Sequence, residues 1–319
     1  MTIAWVVGSG GLLGSALCRT LQSGGTEVFK PAESFHWKSA GCLERQLGSA
    51  ARAFSTGVAD GGPWELYWAA GVSSMGSSEA SLATETRNFS HLLHLLESEP
   101  RLAAVPGAVA FASSAGAIYA GSTDDILSEE SAPAPNTPYA RAKMEQEELL
   151  RSFAIANRHA TALLARLSTL YGPGQSRGKP QGLIAHIARC LVRNQPVRIY
   201  VPLDTVRDYL ASDDAAVAMV TALRSMRGGP AVQTRIIASE RPTTIAEIVA
   251  IFRRIARRAP RIVTSASPLS VLYPRRVQFR STACEEGLRP PKIGLLVGIC
   301  EVMAAERAAF MRGVAAEGR

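Results

Sequence analysis

The sequence predicts an α/β fold: a doubly wound parallel sheet with a small lobe formed by the C-terminal part of the chain. Three observations lead there. Short β-rich runs alternate with helical stretches through the first half, the pattern of βαβ units whose sheet is covered on both faces. A glycine-rich turn follows the first run, at Gly8 to Gly14. After about Tyr171 the rhythm loosens and proline and glycine cluster, without a linker that would detach a second domain. The 319 residues suit one large α/β domain or two domains, at roughly 100–200 residues each. With 47% hydrophobic and 19% charged residues, the chain is neither disordered nor of low complexity.

The elements follow in order. IAWVVG reads as a buried strand, LGSALCRTLQ as a helix, and TEVFKP and LYWAAG as strands. A helix is expected from about Leu82 to Glu97, a strand at AVAFASS, a helix from about Tyr139 to Asn157 and a strand at TALLARLS. The strand-to-strand connections should be right-handed. Beyond YGPGQSRGKPQG come a helix near Leu183 to Arg193, a short RIYV strand and the run RDYLASDDAAVAMVTAL. An IIAS strand then leads into TTIAEIVAIFRRIARR, where Thr243 or Thr244 with Glu247 forms a capping box. The division expected is 1–170 for the sheet domain and 171–319 mostly for the lobe, with segments returning to the sheet.

No apolar run reaches the roughly 18–20 residues of a membrane span. The longest, Ile293 to Ala305, contains Glu301. The opening TIAWVVGSGG has neither a basic leader nor a small-residue cleavage site, so a soluble cytoplasmic protein is expected. Cys18, Cys42, Cys190, Cys284 and Cys300 are odd in number and widely spaced, with no CxxC pair, which argues against a disulfide framework and a zinc site.

The net charge is +8, and its distribution is uneven. Between Glu247 and Glu285 there is no acidic residue, while Arg253, Arg254, Arg257, Arg258, Arg261, Arg275, Arg276 and Arg280 fall there. Three readings suit the cluster: a solvated helix face, a site for a phosphorylated small molecule, or a nucleic-acid surface. The last lacks interleaved stacking aromatics, since Phe252, Tyr273 and Phe279 have spacings that suit a core. No nucleic-acid partner is expected.

Three motifs carry chemistry. Gly8, Gly11 and Gly14, with Gly10 extra, follow a strand and open a helix. Bare backbone there can approach a pyrophosphate, which then sits on the free N–H groups of the helix start. Tyr139 and Lys143 stand four apart at the head of a helix and share one face. A free phenol titrates at about 10, and a neighbouring cation favours its phenolate. Ser113 and Ser114 end a strand, and ligands of open parallel sheets lie at the carboxyl ends of strands.

These pieces resemble the extended short-chain dehydrogenase/reductases, the family of NAD(P)-dependent sugar epimerases, dehydratases and ketoreductases. The likeness runs along nearly the whole chain: GSGGLLG, WAAG at Trp68 to Gly71, Asn88, SSAGAIY, YARAK, RLSTLYGPGQ and RDYLASDDAA. It implies a Rossmann-like NAD(P)-binding domain, a substrate-binding lobe and an enzyme that moves hydride at a sugar carbon, C4 above all. Gly8, Gly10, Gly11, Leu12, Leu13, Gly14, Ala69, Ala70 and Asn88 would then contact the cofactor. Tyr139 would exchange a proton with the sugar oxygen, and Lys143 would bind the ribose and depress the tyrosine pKa. Counting 25 residues back from Tyr139, as in UDP-galactose 4-epimerases, gives Ser114 as the serine that bonds the reacting oxygen. Counting four back from Tyr119 gives Ala115 instead, and Ser113 is the second choice. The implied substrate is a nucleotide-diphosphate sugar, held by Thr169 (where many relatives carry Asn), Arg207 and Arg280 or Arg276. Asp208 and Asp214 are expected to be structural, at a turn and a helix cap. A homodimer is compatible with the family; a membrane partner is not expected.

Two departures narrow the reaction. Dehydratases of the family carry an Asp-Glu pair where this chain has Ala115, Gly116 and Ala117, which demotes elimination. After TEVF no acidic residue awaits a ribose hydroxyl; Lys30 stands there, with Lys38 beyond, which leans the choice towards NADP. Epimerisation and reduction of a 4-keto sugar both remain. A non-catalytic NAD(P)-binding sensor or scaffold is the rival, set against the joint presence of Tyr139, Lys143 and Ser114.

Overall fold

The computed structural model describes residues 2–59, 61–71, 73–175, 182–229, 231–265, 274–283 and 293–317. Cys284, Tyr273 and residues 176–181 of the proline- and glycine-rich run lie outside them. In chain order the elements begin with β1 (Ile3–Val7), α1 (Leu12–Ser23), β2 (Glu27–Phe29), α2 (Ala40–Gly57), β3 (Trp64–Trp68), α3 (Glu79–Ser98) and α4 (Pro100–Ala103). They continue with β4 (Gly107–Ser114), α5 (Ala115–Ile118), α6 (Pro138–Ala156), β5 (Ala160–Leu167), β6 (Thr169–Tyr171), α7 (Leu183–Val192) and β7 (Val197–Ile199). The rest are β8 (Val206–Ala211), α8 (Ser212–Ser225), β9 (Val232–Ile237), β10 (Pro242–Thr244), α9 (Ile245–Ala256), β11 (Ile262–Thr264) and α10 (Leu295–Glu317).

Six parallel strands form the main sheet in the order β2-β1-β3-β4-β5-β9. All five residues of β1 are buried because both faces are covered. Ile3, Trp5 and Val7 join the core under α2, α3 and α6, while Ala4 and Val6 join the core under α1 and α8. From β1 the chain steps outward to β2 and then returns past β1 to β3. The winding therefore reverses between β1 and β3, which is where open α/β sheets bind ligands.

Residues after Thr169 build a second body of structure with its own core. A three-stranded sheet, β10-β8-β6, and a two-stranded one, β11-β7, pack with α7, α9 and α10 around Ile187, Leu191, Phe252, Ile299 and Val302. In contrast, β9 and α8 belong to the main sheet and its α1 face. Thr244 is the cap of α9: its hydroxyl accepts from Glu247 N, and Glu247 accepts from Thr244 N, at 3.1 and 2.6 Å.

Among the described residues, no helix is long and apolar enough to cross a membrane. Part of the Ile293 to Ala305 run forms the first half of α10, whose Ile299, Val302 and Met303 are buried. Asp214 sits in the first turn of α8 rather than at its cap, which is Ala211, and accepts the Ile293 N–H at 3.1 Å. Asp208 lies within β8 rather than at a turn, and there it takes the N–H and hydroxyl of Ser239 at 2.8 and 2.9 Å.

Candidate active site

The glycine turn lies at the reversal point. Gly8 has φ +90°, and a Cβ there would fall 2.6 Å from Ala70 N, so conformation and space both demand glycine. Ala69 N donates to Val7 O at 2.9 Å, so the segment after β3 closes on the turn after β1. A Cβ on Gly14 would lie 2.1 Å from Gly8 O; α1 is that close to the turn. Gly11 N donates to Gly8 O at 2.9 Å, and Gly10 faces open space. Helix α1 has no side-chain cap and no acidic residue in its first turn, leaving its start suited to an anion. Leu12 is half-buried; Leu13 belongs to the core, so only its backbone faces the turn. Asn88 is buried on α3. These residues fit a dinucleotide.

Lys30 is exposed directly after β2. It faces α1: burial raises the Cys18 thiol pKa, and Lys30 and then Arg19 pull it back. The lysine therefore stands at the carboxyl edge of the sheet, beside the helix whose N-terminus borders the glycine turn.

Thr137 caps α6 by accepting Ala140 N at 3.1 Å, with Pro138 in the first position. Tyr139 is half-exposed in the first turn, and Lys143, one turn on, is buried. Lys143 Nζ donates to Ala112 O at 3.3 Å and lies 4.7 Å from the Phe111 ring centre and 5.8 Å from that of Tyr139. Burial pushes its pKa down to about 8, opposed by the carboxylates of Glu85 and Glu147.

Strand alternation sends the two serines to opposite sides. Ser113 is buried and donates to Glu147 Oε1 at 2.6 Å. Glu147 also takes Nε and Nη2 of Arg166, at 3.0 and 2.7 Å, and Arg166 Nη1 donates to the Tyr119 hydroxyl at 2.6 Å. The Ser113 hydroxyl is thereby committed to a buried network. Ser114 is half-exposed and precedes α5 without bonding to it through its side chain. Ala115, the other counted position, is fully buried with Ile118 and Tyr119. Sequence reasoning missed this network, although Glu147 stands one turn beyond Lys143 on the same helix face.

The candidate substrate residues are spread over the lobe. Thr169 is exposed at the start of β6, paired with Tyr209 of β8. Arg207 is half-buried on β8 and donates to Val206 O at 2.7 Å. Arg276 bridges Val206, next to Arg207, whereas Arg280 lies further on, its N–H donating to Leu127 O. Part of the arginine cluster has structural employment. Arg258 and Arg261 donate to the carbonyls of Leu191 and Asn194 at the end of α7, and Arg275 pairs with Asp204.

A glycine turn at the reversal point of a doubly wound sheet, with a Tyr–Lys pair at the carboxyl end of β4, defines a dinucleotide-binding fold of the short-chain dehydrogenase type. The chain belongs to the NAD dependent epimerase/dehydratase family, whose sequence profile matches residues 4–238. It is 33% identical over 92 residues to the dTDP-L-rhamnose 4-epimerase of Burkholderia thailandensis, covering 28% of this chain and 25% of that protein. It is 30% identical over 115 residues to the dTDP-4-dehydro-6-deoxyglucose reductase of Escherichia coli, covering 36% of each. The matches thus span only about a quarter to a third of these relatives. The fold is similar to UDP-glucose 4-epimerase of Thermotoga maritima, solved with UDP-glucose, at a TM-score of 0.80 and 22% identity over 97% of this chain and 100% of that one.

Proposed function

We propose that the protein is an NAD(P)-dependent enzyme that modifies a nucleotide-diphosphate sugar by hydride transfer at a sugar carbon, C4, as an epimerase or a 4-ketoreductase. The observation that carries this reading is the placement of Tyr139 and buried Lys143 beside the carboxyl end of β4. The relatives' 4-epimerase and dehydro-sugar reductase activities support it. When bound, the nicotinamide supplies the hydride acceptor or donor. Tyr139 takes the proton of the sugar hydroxyl on oxidation and returns one to the oxygen on reduction. Lys143 holds the nicotinamide ribose, and its ammonium makes the phenolate easier to form. Ser114 bonds the reacting oxygen, because Ser113 is spent on Glu147. Residues 1–170 serve the cofactor, and 171–319 mostly serve the substrate, with Arg207 and Arg276 on its diphosphate. Thr169 and Arg280 are the further substrate contacts proposed. Ala115, Gly116 and Ala117 supply no carboxylate for elimination.

Incubation with UDP- and dTDP-sugars separates the two outcomes. Protein confirmed by mass spectrometry to carry nicotinamide should interconvert C4 epimers without added cofactor if it is an epimerase. A ketoreductase should instead consume one reduced cofactor per 4-keto sugar. Tight nucleotide-sugar binding with neither reaction would overturn the reading in favour of a sensor.

The cofactor preference proposed is NADP, through Lys30. Lys30→Ala should weaken NADP binding about tenfold or more, the worth of a charged hydrogen bond, and leave NAD binding nearly unchanged. Equal losses for both cofactors, measured by titration, would remove Lys30 from the 2′-phosphate.

A further inference from the structure

Helices α3 and α6 run side by side in the same direction. Gln146 donates to Thr86 at 3.1 Å and Asn157 to Glu97 at 3.1 Å, each pair 60 residues apart. Glu85, next to Thr86, is half-buried and accepts the Ser73 N–H at 2.9 Å. A side-chain carbon on Gly71 would lie 3.4 Å from its other oxygen. The carboxylate therefore sits against the loop that continues from Ala69 and Ala70, on the helix packed against the one carrying Lys143. We propose that Glu85 is a positioning residue of the active site: it fixes the cofactor-side loop after β3 and supplies the negative charge that keeps buried Lys143 an ammonium. The proposal rests on the role given above to Lys143.

The groups around Lys143 show why Glu85 is the carboxylate to single out. From α6 come Tyr139 and Glu147; from β4 come the Ala112 carbonyl and the Phe111 ring. From β5 comes Arg166, which takes both oxygens of Glu147 and in turn meets Tyr119 at the end of α5. Arg235 of β9 turns to Ser225 of α8. Glu147 is thus already neutralised by a guanidinium, and its second task is Ser113. From α3 comes Glu85, held by the backbone N–H of Ser73. Burial drives Lys143 towards its neutral form, and Glu85 is the largest influence opposing that. An ammonium at this position can donate strongly to a ribose hydroxyl and favour phenolate at Tyr139; a neutral amine does both poorly.

The test is the pH dependence of reduced-cofactor binding, followed by nicotinamide fluorescence in the full-length protein for wild type, Glu85→Gln, Glu85→Asp and Lys143→Met. Wild-type affinity should fall on the alkaline side as Lys143 loses its proton, and Lys143→Met should lack that limb. Glu85→Gln removes the charge, so the limb should move to lower pH by about one unit, the lower end of what an adjacent opposite charge does. Glu85→Asp keeps the charge while shortening the reach to Ser73, and its limb should stay near the wild-type position. A Glu85→Gln limb that coincides with wild type, even with affinity uniformly weakened, would make Glu85 a loop latch only and overturn the proposal. An alkaline limb that persists in Lys143→Met would instead refute the role of Lys143, which keeps the two failures apart.

Discussion

Tyr139→Phe should keep the fold and cofactor affinity and lose about 10²–10⁴-fold in turnover, the usual worth of a positioned acid–base group. The hydroxyl is all that the substitution removes, and Tyr139 is half-exposed at a helix start, so no core packing depends on it. Lys143→Met should behave differently, raising the cofactor dissociation constant as well as slowing turnover, because the ribose contact and the cation go together. If the rate-limiting step needs phenolate, the ascending limb of the pH–rate profile belongs to Tyr139 and should vanish or move in Tyr139→Phe. Near-normal turnover of that variant on a verified substrate would defeat the mechanism and with it the role of Ser114.

The second large effect is on stability. Glu147→Ala should destabilise the protein by about 3–5 kcal/mol, the usual result of removing one partner from a buried pair. The side chains of Arg166 and Glu147 are 7% and 5% exposed, so the guanidinium left behind stays away from water. It would retain the Tyr119 hydroxyl, which cannot balance its charge. Replacing both partners with apolar residues of similar volume, Glu147→Leu with Arg166→Met, should recover most of the loss, since it removes the stranded charge as well. Urea unfolding midpoints of the single and double variants measure this. A loss below about 1 kcal/mol in Glu147→Ala would mean that the pair is solvated, as exposed pairs are.

Local signals in the sequence are enough for the glycine turn, the Tyr–Lys pair and one helix cap. Gly8 and Gly14 announce their turn because each must lack a side chain for a reason that acts within a few residues or against the adjoining strand end. Tyr139 and Lys143 share a helix face by periodicity alone, and the α9 capping box is spelled out by Thr244 and Glu247. Helix α2 has a weak signal in the sequence even though Leu43, Leu47 and Phe54 form a buried stripe. The glycine, serine and alanine residues between them dilute the apolar rhythm, and the helix is held by the core it covers. In the same way, α10 read only as an apolar run with no partner.

What the sequence determined by itself was therefore the alternation of strands and helices, the glycine turn and the Tyr–Lys pair, all of which depend on spacings of a few residues. The tertiary structure decided which strands are neighbours, that Glu147 and Arg166 meet from α6 and β5, and that α3, which carries Glu85, lies beside α6, which carries Lys143. It also gave the two adjacent serines different surroundings. Period-two alternation puts Ser113 and Ser114 on opposite faces, but only the packing of α6 against β4 shows which face holds the carboxylate that occupies Ser113. Such pairings join residues far apart in sequence, and a charge or a hydroxyl acquires its role from what burial brings within reach of it.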